Sequence, residues 1–220
     1  MLLSMNVIEL FSSIDGEGKR QGFLTTFLRL HDCNIRCSYC DTLYSYGPES
    51  TFESMSVQAV ADVIEQLENH RITVTGGEPL LQEPAIIELI DELTGRNARY
   101  DFNIETNGTI IPSFHRDNVW FTYDYKTPSS LAEDAMNLDI FKVATPADII
   151  KFVVGSMQDL DRMDEILKTY PTDAQIFVSP VWGNIEGATI IEYMKSHNWQ
   201  NVRFQLQIHK FIWDPDAKGV

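Results

Sequence analysis

The chain has 220 residues, of which 44% are hydrophobic and 22% charged, a balance typical of a folded domain with a sizeable core and not of a disordered chain. Its 32 acidic residues outnumber its 17 basic ones, and the net charge of −15 opposes binding to nucleic acid or to an anionic membrane surface. No run approaches the roughly 20 apolar residues of a membrane span, and the first residues lack a signal peptide's basic flank and cleavage site. We therefore expect a cytoplasmic protein with a single domain over residues 1–220.

Short apolar, β-branched runs alternate with helical patterns along the chain, which is typical of βα units. The predicted strands cover residues 7–11, 24–30, 72–75, 100–104, 119–123, 149–154, 174–178 and 202–207. The first predicted helix follows Ser56 as N-cap, the second runs from Pro84 to a C-cap at Gly95, the third starts at Ser156, and the last covers residues 188–197. The apolar positions that share one face are Val57, Val60, Ile64 and Leu67 in the first helix and Leu160, Met163 and Leu167 in the third.

Right-handed crossover connections between such strands build a mainly parallel sheet with helices on its outside. A closed barrel of eight βα units typically needs about 250 residues, more than this chain has. The sequence therefore predicts an α/β fold, a partial and open βα barrel with about six to seven mainly parallel strands.

Polar residues follow most of the predicted strands at their carboxyl ends, where barrels of this kind carry their chemistry. They are Cys33 to Cys40, Thr75 to Pro79, Glu105 to Gly108, Asp124 to Lys126, Ser179-Pro180 and His209-Lys210. Because these ends meet at one rim, the sequence predicts one shared pocket.

All three cysteines lie in the run CNIRCSYC, as Cys33, Cys37 and Cys40. A loop this short suits one soft metal site better than a disulfide framework. Three thiolates on a four-iron, four-sulfur cluster leave one iron free to bind a small molecule. The alternatives are a zinc site completed by His31 or Asp41, and three unligated structural cysteines.

The cysteine run resembles the signature of radical S-adenosylmethionine (SAM) enzymes, and the run TGGEP at residues 75–79 resembles their glycine-rich second motif. Within that superfamily the chain most closely resembles the 7-carboxy-7-deazaguanine synthases. The matching pieces are DGEG (15–18), FLR (27–29), DT after the last cysteine (41–42), ETNG (105–108) and QIHK (207–210). The resemblance covers residues 11–210.

The resemblance implies that the three cysteines hold a [4Fe–4S] cluster and that SAM binds beside it. The residues then expected to contact SAM are Tyr39, Cys40, Asp41, Gly77, Glu78, Glu105, Lys126 and Ser179. From the residue types alone, a sharp turn would also account for Gly76 and Gly77, and a mutual ion pair would also account for Glu105 and Lys126.

The family's substrate is 6-carboxy-5,6,7,8-tetrahydropterin, and the resemblance implies that it contacts Ile14, Asp15, Gly16, Arg29, Thr75 and His209. Arg29 interrupts an apolar run, so it needs an anionic partner, which is either the substrate carboxylate or Glu17.

Two of the implied contacts have structural alternatives. His209 is either a hydrogen-bond donor to the pterin or a satisfied histidine at the rim. Thr42 is expected to hold Mg²⁺, although Asp41 and Thr42 could instead cap a turn.

The reaction implied is that of a carbon–nitrogen lyase in deazapurine (queuosine) biosynthesis. A radical derived from SAM takes a hydrogen atom from carbon 6 of the pterin, and the ring contracts with loss of ammonia to give 7-carboxy-7-deazaguanine. A flavodoxin- or ferredoxin-like electron donor is the expected protein partner, and a homodimer is left open. The alternatives are a radical SAM activase that installs a glycyl radical on a partner protein, and a non-catalytic zinc-binding module.

Several positions depart from the family pattern. Asp15 stands where glutamine is commoner, Tyr39 where tryptophan is frequent, and the run DYK at 124–126 where Ser-Pro-Lys is often found. The tail from residue 211 to 220 also runs past His209 and Lys210. A terminal carboxylate that contacts the substrate in shorter relatives is therefore expected to be absent or replaced.

Overall fold

A computed structural model describes residues 3–215 and 217–220 as a curved nine-stranded sheet flanked by helices. The strands are β1 (Ser4–Ile14), β2 (Leu24–Leu30), β3 (Glu53–Ser56), β4 (Arg71–Gly76), β5 (Asp101–Thr106), β6 (Val119–Tyr125), β7 (Ile149–Val154), β8 (Gln175–Pro180) and β9 (Val202–Phe204). The helices are α1 (Val57–Gln66), α2 (Glu83–Arg96), α3 (Ile140–Val143), α4 (Met157–Thr169), α5 (Gly187–Ser196) and α6 (His209–Ile212).

The strand order is β3-β1-β2-β4-β5-β6-β7-β8-β9. β1 is antiparallel to both β2 and β3. The other seven strands, β2 and β4 to β9, are parallel and follow one another in chain order. In the described residues β3 and β9 form the two edges and do not pair with each other. The predicted partial, open barrel is therefore confirmed.

The two faces of the parallel strands differ in polarity because successive side chains point to opposite sides of a strand. In β4 to β7, the side chains that join the helices in the hydrophobic core are Ile72, Val74, Phe102, Ile104, Phe121, Tyr123, Ile150 and Phe152. The intervening side chains on the concave face are Thr73, Thr75, Asn103, Glu105, Thr122, Asp124 and Lys151. The core thus lies outside the sheet, and the inside of the barrel is polar.

The helix starts follow the sequence, but one predicted helix end was wrong. The Ser56 and Ser156 hydroxyls accept hydrogen bonds from the amides of Ala59 and Asp159, each at 3.2 Å, which confirms both N-caps. Gly95 is not a C-cap, because the amide of Asn97 still donates to the carbonyl of Leu93 at 2.9 Å and the helical pattern continues past the glycine. In the described part of the chain, no helix is both long and apolar enough to cross a bilayer.

Three further features differ from the sequence expectations. Strand β3 was not predicted, and the described connection from β5 to β6 contains turns in place of a crossover helix. The strand predicted to reach residue 207 ends at Phe204, because the chain then turns toward the loop after β1: Gln205 accepts from the Gly18 amide at 3.0 Å. His209 and Lys210 consequently begin α6 and do not end a strand.

Arg20 fills the end of the barrel at which the parallel strands begin. Its guanidinium donates to the carbonyl of Ile72 at 2.8 Å and forms ion pairs with Asp15 at 3.2 Å and Asp101 at 3.3 Å. The guanidinium carbon lies 4.4 Å from the centre of the Trp120 ring. This buried network closes the floor of the barrel, so the cavity opens at the carboxyl ends of the strands.

Candidate active site

A cavity of about 280 Å³ lies at the carboxyl ends of the parallel strands. Most of the residues singled out in the sequence line it: Ile14, Asp15, Gly16, Arg29, Cys33, Cys37, Tyr39, Cys40, Asp41, Thr42, Thr75, Gly77, Glu105, Lys126 and His209. Glu78 and Ser179 are not among the lining residues. The chain therefore brings the predicted rim sites together round one space.

Backbone hydrogen bonds tie the cysteine loop and the residue before it to two short 3₁₀ turns. The amide of Ser38 donates to the carbonyl of Ser130 at 2.9 Å, and the amide of Asp32 donates to that of Ser45 at 2.8 Å. All three cysteines are unpaired and partly buried. Burial raises the pKa of Cys33 and Cys37, so bound iron, which stabilises the thiolate, would be needed to deprotonate them at neutral pH.

The glycine turn after β4 packs directly against this loop. Gly76 has a φ of 137°, and a Cβ there would overlap the backbone of Leu30. A Cβ on Gly77 would overlap the carbonyl oxygen of Asp32 and would come within 3.0 Å of the Cβ of Cys33. Close approach of two backbone segments therefore requires both glycines, whatever ligand the turn also meets.

The carboxylate of Glu78 holds the neighbouring turn and does not face the cavity. It is fully buried and accepts hydrogen bonds from the amide of Leu80 at 2.9 Å, the hydroxyl of Thr106 at 2.9 Å and the amide of Asn107 at 2.7 Å. Burial raises its pKa. Glu78 thus joins the glycine turn to the end of β5, and its contact with SAM stays a prediction.

Glu105 and Lys126 face the same cavity but do not form the mutual ion pair considered from sequence. Lys126 pairs with Asp124 at 3.0 Å, and Glu105 accepts a hydrogen bond from Thr75 at 3.0 Å. Burial opposes the charge on Lys126, but the Asp124 carboxylate keeps its pKa above the ordinary value. Burial raises the pKa of Glu105. Lys151 opposes this shift, whereas the acidic neighbours Glu17 and Asp15 add to it.

Arg29 has an anionic partner that sequence reasoning missed. Its Nε donates to Glu9 at 2.7 Å, and its Nη1 lies 3.5 Å from the hydroxyl of Thr42. Tyr44 also donates its hydroxyl to Glu9. The proposed partner Glu17 was wrong, because Glu17 instead pairs with Lys151.

The pair of Glu17 and Lys151 lies in the wall of the cavity. The Nζ of Lys151 is 3.1 Å from Glu17 and 3.8 Å from Asp124. Burial alone would raise the pKa of Glu17, but Lys151 and a hydrogen bond from Gln207 hold it below its ordinary value. This carboxylate is therefore ionised at neutral pH.

The loop after β1 is already engaged with the protein at Asp15. The Asp15 carboxylate pairs with Arg20, while its amide donates to the carbonyl of Phe23 at 2.9 Å and its carbonyl accepts from Gly22 at 2.8 Å. Gly16 packs against His209 so closely that a Cβ would overlap the ring Nδ1. Burial lowers the pKa of His209 below 6.5, which makes this ring neutral at physiological pH.

Asp41 and Thr42 lie together at the mouth of the cavity. The hydroxyl of Thr42 donates to the Asp41 carboxylate at 2.9 Å, and Asp41 faces Lys210 at 3.7 Å. The two side chains thus present oxygen atoms beside Arg29. Oxygen atoms are the ligands that Mg²⁺ prefers.

Comparison with known proteins agrees with this geometry. Residues 29–151 match the model of the radical SAM superfamily. The 7-carboxy-7-deazaguanine synthase of Clostridium acetobutylicum is 37% identical over 99% of this chain and 100% of its own length. This chain belongs to the 7-carboxy-7-deazaguanine synthase family. Family members from Methanospirillum hungatei (37% identical, 96% of this chain and 86% of the relative) and Leptospira interrogans (36% identical, 99% of both) also match.

A solved structure supports the fold independently. QueE from Escherichia coli superposes with a TM-score of 0.70 over 92% of this chain and 93% of that chain, at 22% identity. The family assignment sets aside the activase and the zinc-binding module as interpretations of the cysteine loop. Membership in the radical SAM superfamily implies a [4Fe–4S] cluster and SAM as cofactors.

The residues present fit those cofactors. The Asp124 Oδ1 atom at the cavity wall is buried without a hydrogen-bond partner in the described part of the chain, so a polar ligand can satisfy it. The Ser179 Oγ atom is likewise buried without a partner there, but Ser179 does not line the cavity. The Nδ2 of Asn107 lies 3.7 Å from the Cys33 sulfur, a donor suited to a cluster ligand. Among residues 3–215 and 217–220, no three histidine, cysteine or acidic side chains are placed to bind a single metal ion. A four-iron cluster does not require such a group, because each cysteine would ligate a different iron.

Sequence reasoning missed Tyr44 and Lys151, which line the cavity, and Glu9, which pairs with Arg29. Lys151 could have been found in the same way as Arg29, because it is a charged side chain inside an apolar run, IIKFVV. Glu9 and Tyr44 carried no comparable signal, because charged and aromatic residues are common on surface strands and loops. Their role depends on the pairing of β1 with β2, which aligns Glu9 with Arg29.

Proposed function

We propose that this chain converts 6-carboxy-5,6,7,8-tetrahydropterin into 7-carboxy-7-deazaguanine with loss of ammonia, in deazapurine (queuosine) biosynthesis. The observation that carries the proposal is that the cysteine loop and Arg29, with its guanidinium fixed by Glu9, line one cavity. When bound, the cluster and SAM supply the radical that takes hydrogen from carbon 6 of the pterin. The residues of this chain position the reactants and exclude water.

Arg29 is the residue we assign to the substrate carboxylate, since a guanidinium matches that group with two parallel hydrogen bonds. Thr75 and the neutral ring of His209 offer hydrogen bonds to the pterin, and Ile14 to Gly16 form the wall beside His209. Because both backbone groups of Asp15 are already hydrogen-bonded, its contribution is to hold this wall.

For the cofactors, we assign Cys33, Cys37 and Cys40 to the cluster. The residues assigned to SAM by direct contact are Tyr39, Cys40, Asp41, Gly77, Glu105, Lys126 and Ser179. We assign Glu78 to SAM as well, and its carboxylate also holds the turn that contains Gly77. We assign Mg²⁺ to Thr42, supported by the neighbouring Asp41 carboxylate and by the proximity of Arg29.

A flavodoxin- or ferredoxin-like protein is the proposed electron donor, because the cluster needs one electron for each activation. The unpaired cysteines suit the reducing cytoplasm, where we place the protein. A homodimer remains a prediction that a sedimentation measurement would test.

The decisive experiment is anaerobic incubation of the reconstituted and reduced protein with SAM and the carboxypterin, followed by mass spectrometry of the products. We expect 7-carboxy-7-deazaguanine in many-fold excess over enzyme, with SAM regenerated. Cleavage of SAM without a ring-contracted product would remove the substrate assignment and leave the superfamily assignment intact. The Cys37→Ala variant is the control, and it should form no product.

A further inference from the structure

The tail that follows α6 returns across the mouth of the cavity. Its lining residues are Asp214, Pro215, Ala217, Lys218, Gly219 and Val220. The Nζ of Lys218 lies 4.1 Å from the centre of the Tyr44 ring, a cation–π contact. The guanidinium carbon of Arg29 lies 5.9 Å from the centre of the same ring. One tyrosine ring therefore contacts both a tail lysine and the arginine assigned to the substrate.

Most of the other charged side chains of the cavity are held in ion pairs. The ion pairs are Asp15 with Arg20, Arg29 with Glu9, Lys126 with Asp124, Lys151 with Glu17 and Lys210 with Asp41. Asp214 is engaged in a contact of its own. By contrast, Lys218 forms no ion pair with any residue of ranges 3–215 and 217–220. Its ammonium is thus a positive charge at the mouth that is not held in an ion pair with a described residue.

An anionic ligand gains from such a charge. Because Glu9 already compensates Arg29, the Arg29–Glu9 pair supplies no net positive charge to a carboxylate that docks there. A lysine that contacts the same Tyr44 ring adds a positive charge, and its exposed, flexible stem lets it move toward the ligand. The combination favours a carboxylate over a neutral group at this position.

We propose that Lys218 is a specificity-determining residue, whose ammonium binds the carboxylate of the substrate together with Arg29. This inference rests on the proposed function, because the carboxypterin is the ligand it concerns. The tail thus recognises the substrate through the side chain of Lys218.

The test compares the Lys218→Met and Lys218→Arg variants with the wild type. We expect K218M to raise the KM for the carboxypterin about five- to tenfold with kcat changed less than about twofold, since the lost contact is charged but exposed. K218R should restore most of the affinity. The control is Lys195→Met on α5, whose lysine pairs with Glu192 on the surface, and its KM should equal that of the wild type.

A neutral ligand separates charge recognition from general damage to the site. The 6-carboxamide analogue of the substrate, used as a competitive inhibitor, should have the same Ki for the wild type and K218M. An unchanged KM in K218M, or an equal loss of affinity for the carboxamide, would overturn the inference while leaving the reaction in place. A wild type that makes no deazaguanine would overturn the proposed function and this inference together.

Discussion

Arg29 is oriented before any ligand arrives. The carboxylate of Glu9 accepts from its Nε, and the hydroxyl of Tyr44 donates to the same carboxylate oxygen. The remaining contact of the guanidinium, 3.5 Å from Nη1 to Thr42, is long enough for a carboxylate to replace it. Preorganisation of this kind reduces the entropy that binding would otherwise lose.

Replacement of Arg29 by lysine should therefore weaken substrate binding although the charge is kept. A lysine ammonium cannot reproduce the two parallel hydrogen bonds or reach Glu9 in the same geometry. We expect the KM for the carboxypterin to rise about 10- to 100-fold, as for loss of a charged hydrogen bond. Product formation at varied substrate concentration measures this, and the surface variant Arg116→Lys should behave as the wild type. An unchanged KM would make Arg29 purely structural.

The half-buried ring of His209 predicts a pH dependence of stability. Burial lowers its pKa below the ordinary 6.5, so folding favours the neutral ring. That contribution is present above pH 6.5 and is lost as the pH falls through the lower pKa of the folded state. The wild type should thus lose stability relative to His209→Gln between pH 7.5 and pH 5.5.

Urea unfolding of both proteins at the two pH values measures this difference directly. Groups remote from His209 titrate equally in the two proteins, so their effects cancel in the comparison. A difference in free energy of unfolding that stays constant, or grows on acidification, would contradict the assignment of a neutral ring.

At the scale of elements, the central contact is that between the glycine turn after β4 and the loop that leads into the cysteines. Hydrogen bonds from the amides of Gly77 and Glu78 to the carbonyls of Leu30 at 3.1 Å and Asp32 at 2.7 Å join the two segments. The second motif of the sequence therefore supports the first. Displacement of the turn would move Cys33.

Gly77→Ala should consequently impair cluster assembly. The added Cβ would overlap the Asp32 carbonyl, and backbone atoms cannot yield as a flexible side chain can. We expect iron incorporation after anaerobic reconstitution to fall to less than about half of the wild-type value. Iron analysis and the absorbance of the cluster measure it.

Gly95→Ala is the matched control. Gly95 lies inside α2, and a Cβ there would meet no atom within 4 Å. Since alanine favours a helix over glycine, this variant should gain about 0.5–1 kcal/mol of stability and keep normal iron content. Equal iron loss in both variants would show that the Asp32 contact is not the cause.

At the scale of the whole molecule, a buried charge network closes the lower end of the barrel. Arg20 comes from a short 3₁₀ turn after β1 and reaches the first residues of β4 and β5. It thereby joins the antiparallel hairpin to the parallel strands. A side chain with so many partners is sensitive to removal, because Asp15 would remain buried and unpaired.

Arg20→Met should destabilise the protein by about 3–5 kcal/mol, the range for breaking a buried ion pair by removing one partner. Arg96→Met removes the surface ion pairs of Arg96 with Asp62 and Glu65 and should lose no more than about 1 kcal/mol. Urea unfolding measures both. Similar losses in the two variants would argue against a special role for the floor.

The sequence predicted the parts of the fold that depend on local pattern. Apolar runs and serine caps located all the main parallel strands and the starts of two helices within a few residues. The short strand β3 and the break of the last strand at Phe204 escaped, because each depends on contacts with distant residues such as Met5 and Gly18. Local pattern cannot register a partner 187 residues away.

The candidate site shows the same division. The cysteine run, the glycine turn and Arg29 are recognisable in the sequence and meet in space. Glu78 and Asp15 were expected to meet ligands, yet their carboxylates serve hydrogen-bond networks that only the folded chain creates. The identity and spacing of residues predict which residue types lie together in the site, but not which carboxylate oxygens remain free for a ligand in the folded chain.

The opposite polarity of the two sheet faces restricts how such a protein can change. A substitution at Thr122 alters only the reaction space, and one at Phe121 alters only the packing against the helices. Insertion or deletion of one residue in β6 would exchange these two roles for every position beyond it. New substrate preferences are thus accessible by replacing side chains or reshaping rim loops, whereas a change in strand length would abolish folding and catalysis at once.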